Sequence, residues 1–242
     1  MKIVIISDTH LRHRYYPVDV PEADILIHCG DALNGGEAKE LPFFAEWFAG
    51  LKAKHKVFVA GNHDWVFEKQ PALARGLLPK EVIYLQDEQA EVAGLKIYGS
   101  PWQPEFSNWA FNLPRGLSLR KKWEAIPEGI DILVTHGPPM GILDWSNFGG
   151  EHVGCADMRQ ELARVKPKLH CFGHIHGSYG TAEWAGTLFV NAATCDEQYM
   201  ANQPAVVVEL EPGGTPTIVP GPGLGTPVRK VVPIRHRSKP LW

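Results

Sequence analysis

Histidine, aspartate and asparagine recur in this chain at spacings suited to holding transition-metal ions. One residue separates Asp8 from His10, and one separates His174 from His176 within Gly173-His174-Ile175-His176-Gly177. Residues two apart in an extended segment project to the same side, so each pair can face one ion. The glycines flanking the second pair permit a sharp turn. Asp31 follows Gly30, and its two carboxylate oxygens give one side chain the means to bridge two cations. An aspartate in a turn is by itself usually a cap, but its placement among the other groups favours a ligand. In Gly61-Asn62-His63-Asp64 three polar side chains can divide the work. Asn62 offers a neutral carbonyl oxygen, His63 holds a proton near neutral pH, and Asp64 would orient His63 and raise its basicity. His136 adds a further imidazole.

Every one of these groups closes an apolar, strand-like run: residues 3–6 before Asp8, 25–27 before Asp31, 57–59 before Asn62, 132–134 before His136 and 169–172 before His174. Open α/β sheets expose their ligands at the carboxyl ends of strands, and five converging endings point to one site. Helical spacing of apolar residues predicts helices over 37–51, 117–125 and 156–165. Residues 24–30 and 131–137 read as nearly fully buried strands, while 96–98 and 205–210 continue the β signal with fewer helices between. The fold class is α/β, with two packed sheets and helices outside.

Composition narrows the setting. At 242 residues, 44% apolar and 21% charged, the chain supports one sizeable domain over residues 1–210. Residues 211–242 hold seven Pro and five Gly, too many for a regular element, and read as a tail either flexible or wrapped over the body. No apolar run approaches the roughly 18–20 residues of a membrane helix, and Met1-Lys2 leads directly into a strand; the expectation is a soluble, cytoplasmic protein without membrane contact. Cys29, Cys155, Cys171 and Cys195 form no C-x-x-C pair and are expected as reduced thiols. The net charge of −3 conceals a basic tail, with five Lys or Arg against Glu211, so residues 1–210 carry −7. That is no footprint for wrapping extended nucleic acid.

Asp8-x-His10, Gly30-Asp31, Gly61-Asn62-His63-Asp64, His136 and Gly173-His174-x-His176 resemble, in order and strand context, the calcineurin-like metallophosphoesterase superfamily. Gly99-Ser100-Pro101-Trp102-Gln103-Pro104, Trp109-Ala110-Phe111-Asn112 and 135–144 narrow the likeness to the metallophosphoesterase-domain-containing subgroup first known from fetal brain. That subgroup is similar to class III cyclic-nucleotide phosphodiesterases. Some of its animal members carry Gly where this chain has His176. The resemblance implies a four-layer α-β-β-α sandwich of two mixed sheets. It also implies Asp8, His10 and His176 on one metal, Asn62, His136 and His174 on another, Asp31 bridging both, and His63 as general acid. Mixed imidazole and carboxylate donors suit Mn, Fe or Zn better than Mg or Ca. The function expected is hydrolysis of phosphodiesters, including cyclic nucleotides, by in-line attack of a metal-bridging hydroxide. Phosphomonoester or protein-phosphatase activity, and a nucleotide-binding scaffold or sensor, remain alternatives on the same core. Homodimer formation stays open.

Six of the eleven histidines fall outside this constellation. His28 and His170, inside apolar strands, are expected to be hydrogen-bonded structural residues. His13, His55, His152 and His236 are expected at the surface, with a lesser expectation that His152 lines the cleft. Trp102 and Trp109 are candidates for stacking a nucleobase, together with Asn62 and His63 as substrate contacts, although core packing is the stronger expectation for the indoles.

Overall fold

In the computed structural model, which describes residues 1–220 and the backbone of 229–230, alternation sorts the strand side chains into separate layers. Within Lys2–Ile6, Ile3 and Ile5 pack between two sheets, while Val4 and Ile6 face helices. All four are fully buried. Burying an aliphatic side chain of this size contributes roughly 1.5–3 kcal/mol, so two-sided burial favours apolar residues at every position of such a strand.

The first sheet runs, edge to edge, Thr217–Ile218, Val206–Glu209, Lys2–Ile6, Ala23–His28, Ala53–Phe58 and Val82–Tyr84. Its last four strands are parallel, and Val206–Glu209 is antiparallel to Lys2–Ile6. The second runs Arg229–Lys230, Gly180–Trp184, Thr187–Asn191, Leu169–Phe172, Ile132–Thr135, Leu95–Ser100 and Glu88–Val92. Its four central strands are parallel. Between the sheets lie Ile25, Ile27, Val57, Val134, Cys171 and Val190. Helices Leu41–Gly50, Trp65–Lys69 and Pro71–Leu77 cover the first sheet through Phe44, Phe48, Phe67 and Ala74. Leu117–Glu124 and Ala156–Val165 cover the second through Leu119, Trp123, Met158 and Leu162. The result is the four-layer α-β-β-α sandwich.

Parallel register aligns the strand ends. Ile6 pairs with His28, and His28 with Phe58, so the loops after all three leave the sheet at one edge. In the second sheet Cys171 pairs with Val134, which brings the loops at His136 and Gly173 together. A bridge between Ser7 and Ala193 ties the two edges to each other.

Two expectations change. The helix predicted over 37–51 spans Leu41–Gly50, with Pro42 in its first turn. Proline has no N–H to donate and clashes with the carbonyl four residues back, so a helix accepts it only at the start. Past residue 210, where no regular element is predicted, Thr217–Ile218 pairs with Val208 and Glu209, and the backbone of Arg229–Lys230 pairs with Ala182 and Glu183. A strand two residues long needs only a free sheet edge, and neither prolines nor glycines interrupt these dipeptides. The remainder of the predicted tail, 221–228 and 231–242, lies outside the described residues, as does His236. Among the described residues no helix is long and apolar enough to cross a membrane.

Candidate metal centre

The loops that leave the aligned strands are held in conformations that non-glycine residues rarely adopt. Asp8, His10, Asp31 and His174 have φ of 51°, 43°, 55° and 67°. Left-handed backbone at four residues of one cluster is sterically costly, and such strain concentrates where function requires it. Cross-loop hydrogen bonds hold it in place: Asp8 N donates to Gly30 O at 2.8 Å, His10 N to Asp31 O at 3.0 Å and Gly173 N to His136 O at 3.0 Å. Gly61 and Gly173 are required by close approach. A Cβ on Gly61 would overlap Asp31, and one on Gly173 would overlap the Asp8 carboxylate and the Ser7 side chain.

Three donor groups result, the ligand atoms within each lying within 4.8 Å of one another: Asp8, His10 and His176; His10, Asp31 and His63; and Asp31, His136 and His174. His176 Nε2 is 3.2 Å from Asp8 Oδ1 and 3.4 Å from His10 Nε2. His136 Nε2 is 2.9 Å from Asn62 Oδ1 and 3.4 Å from Asp31 Oδ1. The outer nitrogens face backbone carbonyls: Nδ1 of His10 donates to Leu33 O at 3.3 Å, that of His136 to Cys29 O at 2.9 Å, and that of His176 to Asp196 O at 2.9 Å. Carbonyls only accept, so each Nδ1 carries hydrogen and each Nε2 is turned inward, as in metal-binding imidazoles.

Electrostatics favour positive charge at this spot. Burial disfavours a protonated His136, but Asp31 overrides it and lifts the imidazole to about 9. His176 is likewise raised, Asp8 outweighing burial. His10 and His174 go the other way, to about 4 and about 3, chiefly through burial. Burial works against charge on Asp31 as well, yet His136 and His63 hold its carboxyl well below the usual range. Without an ion, a proton on His136 sits among inward-facing acceptors. A divalent cation would be held by the same ligand atoms.

Residues 1–178 match the family model described as calcineurin-like phosphoesterase. This chain belongs to that family. It is 41% identical over 233 residues to metallophosphoesterase domain-containing protein 1 of Homo sapiens, covering 86% of this chain and 71% of that protein. It is 37% identical over 236 residues to a UPF0046 protein of Caenorhabditis elegans, covering 89% and 83%. One solved structure shares the fold with a TM-score of 0.60 at 14% identity, covering 86% of this chain and 93% of the other. The protein TT1561 of Thermus thermophilus shares it with a TM-score of 0.51 at 14% identity, covering 78% and 88%. Family membership and the His/Asp clusters together support a metal-dependent phosphoesterase.

Within this calcineurin-like phosphoesterase His63 and Asp64 part company. The Asp64 carboxylate is fully buried and accepts from Gly61 N at 2.7 Å, Leu33 N at 2.8 Å and Ala32 N at 3.3 Å. His63 Nδ1 instead donates to Asn34 O at 2.6 Å. The expectation that Asp64 orients His63 is therefore corrected: Asp64 fastens the Asp31 loop to the Asn62 loop, and a backbone carbonyl orients the imidazole. Asn34 carries no sequence signal for this role, because only its carbonyl is used.

A cavity of about 490 Å³ opens over the cluster. Asp31, Asn62, His63, His174 and His176 reach it, and Trp109, Phe106 and Tyr199 are among its aromatic walls. Trp109 lies against His63, its ring tilted by 30° with centroids 4.2 Å apart. Trp102 does not line this cavity. Its indole N–H donates to Asp87 at 2.8 Å and its ring packs on Phe111, which corrects its candidacy as a substrate contact. His28 bonds Thr9 and Gly30 N, and His170 bonds Thr135, as structural histidines. His152 pairs with Asp144 at 2.6 Å and is not part of the cavity lining. His13 stacks on Trp47.

Proposed function

We propose that this protein is a dinuclear metal-dependent phosphodiesterase acting on small diesters, nucleotides and cyclic nucleotides among them. The observation that carries this reading is the sharing of Asp31 between two donor groups, with its two oxygens turned to different imidazoles. Oδ1 lies 3.4 Å from His136 Nε2, and Oδ2 lies 3.8 Å from His10 Nε2. Asp8, His10 and His176 would hold one ion and Asn62, His136 and His174 the other, with Asp31 common to both. Nitrogen-rich donor sets of this kind suit Mn, Fe or Zn. Two such cations would polarise a phosphoryl oxygen and make water a usable nucleophile at neutral pH.

The chain's own groups complete the chemistry. Asn34 O fixes hydrogen on Nδ1 of His63, so Nε2, 4.0 Å from Asp31 Oδ2, is the atom that gains and loses the proton. A protonated Nε2 donates to the departing ester oxygen. Trp109 offers an aromatic face beside that point, suited to a nucleobase. A cavity of 490 Å³ admits a nucleotide and encloses it better than a long strand. The four cysteines are buried and unpaired, which favours a reducing compartment, and we place the protein in the cytoplasm.

Elemental analysis paired with an Mn-supplemented substrate panel tests the reading. Two metal equivalents per chain and faster cleavage of diesters than monoesters are expected. A clear preference for monoesters or phosphoproteins would assign the same core to a phosphatase, and tight nucleotide binding without turnover in any metal would assign it to a sensor.

A further inference from the structure

A second groove, of about 520 Å³, takes His10 into its lining and shares no lining residue with the substrate cavity. Arg12, Arg14 and Lys39 line it, with Asn34 and Glu40. Its charge is unusual for a body carrying −7 over residues 1–210. Among the described residues no carboxylate forms an ion pair with Arg12 or Arg14. Arg12 Nε is buried with no hydrogen-bond partner among them. Arg14 lays its guanidinium over the Phe43 ring, 3.9 Å from the centroid, which holds it in the groove and leaves its N–H edges free. Lys39 meets Glu37 in a highly exposed pair that contributes little and gives way readily. Among the described residues the one acid lining the groove, Glu40, is already occupied by the backbone N–H groups of Asn34, Gly35 and Gly36. Two arginines without ion pairs and a lysine in an exposed, weak one, gathered in a concave surface, make an anion-binding site.

The groove's position decides its use. It begins at His10 and Asn34, which together with Trp109 flank the His63 ring. The His10 ring stands edge-on to it with centroids 4.6 Å apart, and Asn34 O holds its Nδ1. Asn34 meets the Nδ1 edge of His63 and His10 meets the ring from beside it, so the groove adjoins the metal centre within a few ångströms of the acid. We propose that Arg12, Arg14 and Lys39 form a second anion subsite that binds a terminal phosphate carried on the substrate, which favours nucleotide diesters bearing an additional phosphate over those ending in a hydroxyl. This rests on the phosphodiesterase reading above.

Two measurements separate the subsite from that reading. Equilibrium dialysis of radiolabelled inorganic phosphate against the protein in EDTA reports phosphate binding without metal, and the difference between the wild type and a groove variant reports the groove's share. Saturable binding is expected, weakened by at least about tenfold in the Arg14→Gln/Lys39→Gln double variant, tenfold being the worth of a single charged hydrogen bond. Absent binding, or binding that the double variant keeps intact, overturns the subsite. In the metal-loaded enzyme, a dinucleoside monophosphate is compared with the same compound carrying a terminal phosphate at either end. One phosphorylated form should show a lower KM in the wild type and lose that advantage in the double variant, while the unphosphorylated diester is turned over equally by both. Equal KM values for all three substrates, with phosphate still bound in dialysis, overturn the assignment of the subsite to a substrate phosphate. If no diester is hydrolysed at all, the phosphodiesterase reading fails and takes that assignment with it, whatever the dialysis shows.

Discussion

The imidazole of His63 is held by the carbonyl oxygen of Asn34, 2.6 Å from Nδ1, and not by the neighbouring Asp64. The proton-bearing side of the ring is thus set by main chain from a loop 29 residues earlier. His63→Ala should leave metal content unchanged and cost roughly 10²- to 10⁴-fold in kcat on a diester with a poor leaving group. An activated p-nitrophenyl ester should recover much of that loss. Equal activity of variant and wild type on the poor leaving group would remove His63 from the acid's role.

Asp64→Asn should act on stability. Three N–H groups converge on the buried carboxylate, and an amide offers one oxygen and places an NH2 against the remaining donors. The expected loss is about 1–3 kcal/mol in urea unfolding. The pH profile of the remaining turnover should match the wild type, because the His63 tautomer does not depend on Asp64. A shifted profile at unchanged stability would restore the carboxylate as the orienter.

Metal uptake should strengthen with rising pH. His136 without an ion keeps its proton up to about 9, so at neutral pH an incoming cation must displace that proton from Nε2. Each unit of pH below that value costs about tenfold in affinity for one released proton. Titration with buffered Mn from about pH 7 to about pH 8.5 checks the slope. A flat response would mean that His136 is already neutral.

Gly61→Ala adds one methyl group to a residue with no ligand atom of its own. That methyl would collide with Asp31 N and with the carboxylate that two donor groups share. Metal affinity should fall by about 10- to 100-fold, the range seen when groups that support ligands are altered. Retained affinity, measured by metal content after dialysis, would show that the loop yields at low cost.

Trp109→Ala and Trp102→Ala should separate by readout. Loss of Trp109 removes the aromatic face beside His63 and should raise KM for base-bearing diesters, in keeping with about 1–3 kcal/mol per stacked base, without affecting a methyl ester. Trp102 is bonded to Asp87 and packed on Phe111, so its loss should lower the unfolding midpoint first.

Much of this arrangement is legible in the chain because strand burial and ligand chemistry leave strong marks. Apolar runs bounded by Asp8, Asp31, Asn62, His136 and His174 announce parallel strands and their shared edge. The role of Asp64 is not legible, because sequence neighbours suggest contacts, whereas its partners Ala32 and Leu33 are brought to it only by the pairing of Ala23–His28 with Ala53–Phe58. Trp102 and Trp109 are alike as residue types, and only the fold decides which one meets the cavity. Strands such as Gly180–Trp184 and Thr187–Asn191 lack the charged ending that makes the others conspicuous.

The left-handed backbone at Asp8, His10, Asp31 and His174 has one more consequence. Residues locked by their neighbours into unfavourable torsions do not wait for an ion to arrange them, so the receptacle is rigid before loading. Capture should therefore resemble docking into a finished mould more than the wrapping of a soft loop. Discrimination among cations would then come from radius and preferred coordination angles, with little change in amide exchange along these turns when the ions are stripped away.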